Sequence, residues 1–386
     1  MTTTTPGYLV LHPRIQPLAI DSGDGCYLFD AQGRRFLDLF SGIGVNALGH
    51  NHPRIVAAIA EQAQRCIHTS NLYTHPYQAR VAGALCRMAA LDRALFTNSG
   101  TESTEAALKL ARCYATPRGR THFVALLGSF HGRTRGALGL NGQPRLRDPF
   151  GPYATEVKFV EPNNEAAMRA AVDQRTAAVI LEPVLGEGGV YPLTAGFLQT
   201  ARETTRRQDA LLIADECQTG LGRTGDYFAF QSSGIQPDIV TVAKPLAAGI
   251  PLGAVLFTEE VNASVPLGVH GTTQGGGPLA CRVAVEFLDI LDQLLPHIRA
   301  ISDQLRAGLE SIRSRRSVIR EVRCRGLMIG IQLDRPGHDL VGRALQRGLL
   351  INCTQENVIR LLPPYILSSG QAEEGLNILD QVLAAA

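Results

Sequence analysis

The stretches LLIADECQTGLGRTG, residues 211–225, and PDIVTVAKPLAAGIPLG, residues 237–253, decide the fold predicted for this chain. Each contains a short run of aliphatic and β-branched residues bounded by turn formers, a pattern typical of a strand buried in a parallel sheet. The first run ends at Asp215 and Glu216, and the second ends at Lys244. Because open α/β sheets bind ligands beyond the carboxyl ends of their strands, we expect these side chains to face a ligand.

Strands and helices alternate around these runs from about residue 69 to residue 285. Further strand-like runs are RALFTN, THFVALL, AAVILEP and GAVLFT, and helical runs include YQARVAGALCRMAA and TESTEAALKLARCYA. This alternation predicts an α/β fold with a mostly parallel sheet flanked by helices on both faces. A long helical run follows Ala280, and we expect Pro296 to break or kink it.

These patterns divide the chain into three predicted segments. Residues 1–50 are expected to form an N-terminal arm and, through a hairpin of CYLFD and FLDLF, part of a small domain. Residues 51–285, which open with a helix at 53–66, form the large ligand-binding domain. Residues 286–386 form the C-terminal small α+β domain.

Composition disfavours several functional classes. The 386 residues include 37 Lys and Arg against 35 Asp and Glu, so charge favours neither nucleic acid nor a membrane surface as partner. The eight cysteines show no C-x-x-C pair and no metal-ligand spacing with histidine, which suits a reducing cytoplasm. The chain starts with no signal-peptide pattern, and no apolar run approaches the ~18 residues of a membrane span. We expect a cytoplasmic protein without a metal.

A turn of small residues precedes the helix that starts near Gly100. Ser99 followed by Glu102 fits a capping box. Gly100 lets the backbone approach a ligand, and the free N–H groups of the helix end favour a phosphate there. An ordinary capped helix is the better explanation of this pattern when it is taken alone.

Three other loops contain candidate site residues. In SFHGRT, Phe130 could stack on a flat cofactor and Arg133 could hold a carboxylate. Glu182 and Glu187 have the composition of a glycosidase pair, although the parallel sheet and the glycine-rich loop argue against it. GLGRTG, residues 220–225, matches G-x-G-x-x-G, but no helix pattern opens at its third glycine, so we reject a nicotinamide cofactor.

Lys244 discriminates between these possibilities. A buried lysine is unfavourable unless it is paired or takes part in chemistry, and its pKa falls readily on burial. An acid and a lysine on successive strands, with a phosphate-type turn upstream, favour an enzyme that uses pyridoxal phosphate. Lys244 would form a Schiff base with the cofactor, and Asp215 would pair with its pyridine nitrogen.

From about Tyr8 to its end, the chain also resembles the class III aminotransferases of fold type I, and among them those that act on acetylornithine. The shared motifs, in order, are GVNALGHNHP, HTSNLY, NSGTE, SFHGRT, EPV-GEGGV, DE-QTGLGRTG, AKPLAAGIPLGA, HGTT and RLLPP. The resemblance implies a large domain that binds pyridoxal phosphate, a small domain built from both chain ends, and a homodimer with shared active sites.

The resemblance also implies a role for each site residue. Lys244 would carry the cofactor and move the proton, while Asp215 would keep the pyridine nitrogen protonated. The other implied cofactor contacts are Gly100 and Thr101 at the phosphate, Phe130 on the ring, Gln218 at the phenolic oxygen, and Thr273 from the other subunit. The implied substrate contacts are Arg133 at the carboxylate, Thr272 beside the acyl group, and Glu187 with Arg360 as a gating pair.

These roles imply a ping-pong ω-aminotransferase that moves the terminal amino group of N2-acetylornithine to 2-oxoglutarate in arginine biosynthesis. Succinylornithine, ornithine, carrier-linked lysine and 4-aminobutyrate are alternative donors. Gly42 stands where ornithine aminotransferases have tyrosine, which leaves room for an acyl group. The departures from the family pattern are Leu185, Ser103, Thr104, Cys217, Pro245, Gln274 and Gly277.

Two other classes remain open at this stage. An isomerase or decarboxylase on the same scaffold would share Lys244 and Asp215, but Arg133 and the pair of Glu187 and Arg360 favour transamination. A non-catalytic binding protein with this fold is the other alternative, and the intact Lys244 argues against it.

Overall fold

A seven-stranded sheet forms the centre of the molecule. The computed structural model describes residues 18–384. The strands in chain order are β1 (Ile20–Asp24), β2 (Tyr27–Asp30), β3 (Arg35–Asp38), β4 (Arg93–Thr97), β5 (His122–Leu126), β6 (Glu156–Val160), β7 (Thr176–Leu181), β8 (Val184–Leu185), β9 (Tyr191–Pro192), β10 (Leu211–Asp215), β11 (Ile239–Val242), β12 (Gly253–Phe257), β13 (Ile319–Arg325), β14 (Met328–Leu333), β15 (Leu349–Leu350), β16 (Asn352–Thr354) and β17 (Val358–Leu361).

Helices surround the sheets. In chain order they are α1 (Ser41–Gly44), α2 (Pro53–Arg65), α3 (Pro76–Ala89), α4 (Gly100–Ala115), α5 (Arg135–Gly139), α6 (Pro144–Arg147), α7 (Glu165–Ala171), α8 (Ala195–Arg207), α9 (Glu259–Ala263), α10 (Pro278–Arg313), α11 (His338–Gln346) and α12 (Ser369–Ala384). The sequence of residues 18–384 contains no helix long and apolar enough to cross a bilayer.

The central sheet has the strand order β4-β12-β11-β10-β7-β5-β6. Only β12 is antiparallel to its neighbours, and all other adjacent pairs are parallel, so the predicted mostly parallel α/β fold is confirmed. Every residue of β7, β10 and β11 is buried, which explains why these strands are continuous apolar runs rather than alternating ones. Strands β10 and β11 are parallel neighbours, so Asp215 and the segment before Lys244 meet at one edge.

Both ends of the described chain contribute to the smaller sheets. Strands β2 and β3 form the predicted antiparallel hairpin, and β15 from the C-terminal part pairs in parallel with β3. A second antiparallel sheet has the order β13-β14-β17-β16. The predicted N-terminal arm falls largely on residues 1–17, outside the described part of the chain. The domain boundaries at 50 and 285 stay a prediction, and residue 285 lies inside the continuous helix α10.

The expected break at Pro296 is wrong. Helix α10 runs for 36 residues from Pro278 to Arg313 with Pro296 inside it. The proline side chain is exposed, so the backbone carbonyl that loses its helical donor can bind water instead. Packing of α10 against α2, α3 and α12 keeps the helix continuous despite the lost hydrogen bond.

Candidate active site

Asp215 is a buried carboxylate at the carboxyl end of β10. Its Oδ2 accepts a hydrogen bond from His131 Nδ1 at 2.7 Å, and its Oδ1 accepts one from Thr241 Oγ1 at 2.9 Å and one from the backbone N–H of Cys217 at 3.2 Å. Burial raises the pKa of Asp215, but the hydrogen bond and charge of His131 outweigh burial, so this pKa lies below its ordinary value. The site therefore contains a permanent negative charge.

Lys244 lies at the same edge of the sheet, two residues beyond β11. The parallel register places Asp215 opposite Thr241, three residues before Lys244. Lys244 is partly buried, and no residue within 18–384 forms a hydrogen bond or ion pair with its amine. Asp215 and Lys244 both act electrostatically on Cys217. Asp215 and Lys244 therefore follow adjacent parallel strands and act on a common neighbour.

Cys217 packs against the first turn of α4. A Cβ atom on Gly100 would lie 3.0 Å from Cys217 Sγ and 3.5 Å from the Cβ of Ala243, so Gly100 is needed for this close packing as well as for any approach of a ligand. Burial, followed by the charge of Asp215, raises the pKa of the Cys217 thiol well above its ordinary value. The Cys217 side chain is thus a small, uncharged group that packs against Gly100.

The start of α4 presents backbone donors to the site. The first N–H groups of a helix have no intrahelical acceptor, and here they begin at Gly100. Ser99 Oγ accepts from the N–H of Glu102 at 3.3 Å, as the capping box predicts. The Glu102 carboxylate accepts from the backbone N–H of Asn98 at 2.8 Å instead of that of Ser99, so the reciprocal half of the box is displaced by one residue. This hydrogen bond holds the Glu102 carboxylate against Asn98, away from the free N–H groups in the first turn of α4.

The segment after β5 contacts this helix start. Thr101 Oγ1 accepts hydrogen bonds from the backbone N–H groups of Arg133 at 3.1 Å and Thr134 at 3.3 Å. The approach requires glycine at position 132, where φ is 133° and a Cβ would collide with Thr101 Oγ1. The guanidinium carbon of Arg133 lies 5.7 Å from the ring centroid of Phe130, and the Arg133 side chain forms no ion pair with any residue the structure describes. An aromatic face and an available cation therefore adjoin the helix end.

Glu182 and Glu187 do not form a glycosidase pair. Glu182 is buried and accepts hydrogen bonds from the backbone N–H groups of Phe130 at 2.9 Å and Gly186 at 3.0 Å, so it joins two loops beneath the site. Burial raises its pKa to about 7. The Glu187 carboxylate instead contacts Arg360 at 2.7 Å. Each acid thus has its own structural partners.

Arg360 projects from β17 and is 1% exposed. In addition to its ion pair with Glu187, Arg360 Nη1 lies 3.3 Å from Gln218 Oε1, and Arg360 Nε donates to Asn352 Oδ1 at 3.2 Å. With Oε1 of Gln218 accepting from Arg360, the amide N–H groups of Gln218 are left to donate elsewhere. The structure thus brings together Glu187, Arg360 and Gln218, three of the predicted site residues.

Thr272 and Thr273 lie on a segment at the surface beside β4. Thr272 Oγ1 is 3.5 Å from the carbonyl oxygens of Phe96 and Gly275, and its own carbonyl accepts from Asn71 Nδ2 at 2.7 Å. Thr273 is exposed, and within residues 18–384 no hydrogen bond links it to the other predicted cofactor contacts.

The residues present fit pyridoxal phosphate. A carboxylate has about four acceptor positions, and His131, Thr241 and Cys217 use three of those of Asp215, which leaves one for a further donor. The Lys244 amine is available for covalent attachment to an aldehyde. The helix end at Gly100 offers donors suited to a phosphate group.

Comparison with known proteins assigns the chain to a family. The family described as "Aminotransferase class-III" matches residues 11–383. The acetylornithine aminotransferase 1 of Bordetella pertussis is 45% identical over 369 residues, which are 94% of this chain and 94% of that protein. The acetylornithine aminotransferase of Aquifex aeolicus is 40% identical over 97% of this chain and 100% of its own length. The chain belongs to the class III aminotransferases.

A solved structure agrees with this assignment. An amine transaminase from an uncultivated Pseudomonas species, determined in its pyridoxal phosphate-bound form, superposes with a TM-score of 0.90 at 30% identity and covers 99% of this chain and 98% of that one. The predicted class III family and fold type are therefore confirmed. The individual site residues stay predictions that the geometry of this class III aminotransferase accommodates.

Sequence reasoning missed three contributors to this aminotransferase site. It gave His131 no role, although His131 is the residue bonded to Asp215 Oδ2. Thr241 is the one hydroxyl in the otherwise apolar run IVTV, which was the available signal, and the strand register places it opposite Asp215. Ser103, noted only as a departure, is buried with Oγ 3.2 Å from the carbonyl oxygen of Val242, so it fastens α4 to the end of β11 just before Lys244.

Proposed function

We propose that this class III aminotransferase uses pyridoxal phosphate to transfer the terminal amino group of N2-acetylornithine to 2-oxoglutarate. The observation that supports the chemistry is that the buried, anionic Asp215 ends β10 and Lys244 follows the adjacent parallel strand β11 at the same edge of the sheet. The substrate is inferred from relatives named acetylornithine aminotransferase that are 38–45% identical to the chain over almost all of its length.

The protein residues would bind the cofactor and move protons. When bound, pyridoxal phosphate supplies an aldehyde that condenses with amines and a ring that accepts the electron pair left when a C–H bond breaks. Asp215 would hold a proton on the ring nitrogen through its remaining acceptor position. Lys244, once free, would take the proton from the substrate carbon and return it elsewhere. The first turn of α4 and Thr101 would bind the phosphate.

Two arginines would orient the substrates. Arg133 has no ion-pair partner among the described residues, so its guanidinium is available for the carboxylate of the acylated amino donor. Glu187 forms an ion pair with Arg360; it would keep Arg360 neutralised while the donor is bound, and Arg360 would bind the second carboxylate of the keto acid when Glu187 moves away. One site could then accept a donor with a neutral acyl end and an acceptor with two carboxylates.

A homodimer with shared sites belongs to the same proposal. Two surface segments carry exposed apolar side chains, which are Ile67, Leu72, Tyr73, Leu267 and Val269. Asn71 joins these segments by donating to the carbonyl of Thr272 at 2.7 Å, so the apolar side chains belong to one region around Thr272 and Thr273. Such a region favours burial against a second copy, which would carry Thr273 to the partner's cofactor. The eight free cysteines favour a cytoplasmic location.

A substrate panel tests this function. Purified protein loaded with pyridoxal phosphate is incubated with 2-oxoglutarate and, separately, N2-acetylornithine, N2-succinylornithine, ornithine and 4-aminobutyrate, and glutamate formation is measured. We expect the acylated ornithines to give the highest kcat/KM. Turnover of only ornithine or 4-aminobutyrate would overturn the substrate assignment. Loss of the donor amine without any need for 2-oxoglutarate would indicate an isomerase or a decarboxylase instead.

A further inference from the structure

Arg360 has three hydrogen-bond acceptors of two kinds. Glu187 provides a charged acceptor at 2.7 Å, whereas Gln218 at 3.3 Å and Asn352 at 3.2 Å provide neutral amide oxygens. Arg360 is 1% exposed, so its guanidinium depends on acceptors that the protein supplies. A buried guanidinium without acceptors is strongly unfavourable, and the neutral acceptors must then hold it whenever Glu187 departs.

The backbone at Glu187 is fixed while its side chain is partly accessible. The carbonyl oxygen of Glu187 accepts from Thr354 Oγ1 at 2.8 Å and from Gln355 Nε2 at 2.7 Å. The side chain is 25% exposed, against 1% for that of Arg360. A departing carboxylate would therefore rotate about its side-chain bonds and leave the loop in place, with Arg360 as the stationary member of the pair.

We propose that Asn352 is a positioning residue that keeps Arg360 aimed at the keto-acid carboxylate after Glu187 has rotated away. The inference rests on the proposed role of Glu187 and Arg360 in handling two substrates. Asn352 on β16 is the direct antiparallel partner of Arg360 on β17, so the register of the sheet sets this contact independently of any substrate. Because Asn352 binds Nε, it does not occupy Nη2 or the Nη1 donor position that Glu187 vacates, and these remain for a carboxylate.

The neutrality of Asn352 is part of its proposed role. An amide oxygen orients the guanidinium without cancelling its charge, so the charge remains available to the incoming substrate. An aspartate at position 352 would be a permanent counter-ion and would compete with the keto acid in every state of the enzyme. The substitutions Asn352→Ala and Asn352→Asp therefore separate orientation from neutralisation.

The test measures the two substrates separately in the cofactor-loaded enzyme. We expect Asn352→Ala to raise the KM for 2-oxoglutarate about tenfold, and Asn352→Asp to raise it further, with the KM of the amino donor within about twofold of wild type. Calorimetry with glutarate, a dicarboxylate that cannot react, provides a readout independent of turnover. Its Kd should rise in both variants, and more in Asn352→Asp.

Asn357→Ala is the matched control. Asn357 lies on the turn between the same two strands, and its side chain donates to the carbonyl of Leu333 at 3.2 Å, away from Arg360. It should leave both KM values near wild type. If Asn352→Ala raised the KM values of the amino donor and of 2-oxoglutarate equally, Asn352 would have only a structural role and the inference would be overturned. An Arg360→Ala enzyme with an unchanged KM for 2-oxoglutarate would instead overturn the role of Arg360 in the proposed function.

Discussion

Burial raises the pKa of Asp215 and hydrogen bonding lowers it, and the effect of hydrogen bonding is the larger. An isolated buried carboxyl group would hold its proton, whereas His131 on Oδ2 and Thr241 on Oδ1 stabilise the anion and keep its pKa low. Glu216, the next residue in the chain, and Glu182, which follows the neighbouring strand β7, are also buried, and their pKa values are raised to about 7, mainly by burial. The difference between the acids comes from their donors, because all three are buried.

Replacement of Lys244 by alanine tests the residue at the centre of the proposal. The chain contains three lysines, at positions 109, 158 and 244, so covalent attachment can be assigned without ambiguity. We expect Lys244→Ala to lose at least about 10³-fold in kcat, because covalent attachment and proton transfer both depend on this amine. In the wild-type enzyme, borohydride reduction followed by mass spectrometry should find the cofactor on the peptide that contains Lys244.

Lys158→Ala is the control for that experiment, since Lys158 forms an ion pair with Asp173 at 2.7 Å and lies away from Asp215. It should retain near wild-type activity and the same labelled peptide. Cofactor found on Lys109 or Lys158, or unchanged labelling in Lys244→Ala, would contradict the assignment.

Glu216 should make stability depend on pH. Burial raises its folded-state pKa from 4.5 to about 7, so its contribution to stability is complete below pH 4.5 and is lost as the pH rises through 7. We expect Glu216→Gln to remove about 2 to 3 kcal/mol of the fall in unfolding free energy between pH 5 and pH 8. Urea unfolding at several pH values measures this change.

The exposed Glu203 on α8 gives a matched comparison, and Glu203→Gln should leave the pH profile of wild type unaltered. A Glu216→Gln profile as steep as that of wild type would show that Glu216 is ionised in the folded protein across this range. The unfolding free energy of Glu216→Gln should still fall in part between pH 5 and pH 8, because the pKa of Glu182 is also raised to about 7.

At the scale of the elements, tertiary packing outweighs local preference in α10. The helix is continuous through Pro296 because its buried face packs along its length against α2, α3 and α12. A proline in a helix interior costs about 3 kcal/mol, so the continuity of α10 shows that packing offsets an amount of this order. The proline lies on the exposed side, where its ring displaces no core residue.

Pro296→Ala should therefore stabilise the protein. The change restores a backbone donor and removes the steric clash without creating a cavity, and we expect an increase in unfolding free energy of up to about 3 kcal/mol. The midpoint of thermal unfolding provides the measurement. Gln293→Ala, at an exposed position of the same helix, controls for the gain in helix propensity alone. A Pro296→Ala midpoint no higher than that of Gln293→Ala would show that the proline is not strained.

At the scale of the whole molecule, the two ends of the described chain meet in one sheet and the large sheet supports the site. Pairing of β15 with β3 ties residues separated by more than 300 positions, and Arg360 reaches Gln218 and Glu187 from the C-terminal part. Arg360 therefore joins the other site residues only when the C-terminal part has folded against the large sheet.

The proposed dimer makes a prediction at this scale. Leu267 is 102% exposed, and we expect Leu267→Glu to place a charge in the interface and to shift the protein towards monomers as it is diluted. Light scattering over a range of concentrations measures the mass. Ile20→Glu, at an exposed apolar residue on β1, is the control and should not alter the mass. A wild-type protein that is monomeric at every concentration would refute the dimer.

The local sequence was sufficient to predict the elements that are buried or strongly periodic. The runs LLIAD and IVTV and the helix from Gly100 to Ala115 were predicted correctly because complete burial or a helical stripe leaves a clear apolar pattern. Strand β6, EVKFV, was not predicted, because it is an edge strand that is partly exposed and lacks the continuous apolar run of β7 or β10. Asp215 and Lys244 were chosen as candidate site residues for the same reason, because each follows a predicted strand.

Sequence alone determined the family, the parallel sheet and the position of the charged groups at its edge, because burial and turn chemistry are recorded locally in residue type and spacing. Only the tertiary structure decided that His131 and Thr241 keep Asp215 ionised and that Asn352 lies beside Arg360. These contacts join residues on different elements, and their distances depend on strand register and loop path. No local pattern encodes those distances, because the free energy that sets them comes from packing of the whole chain.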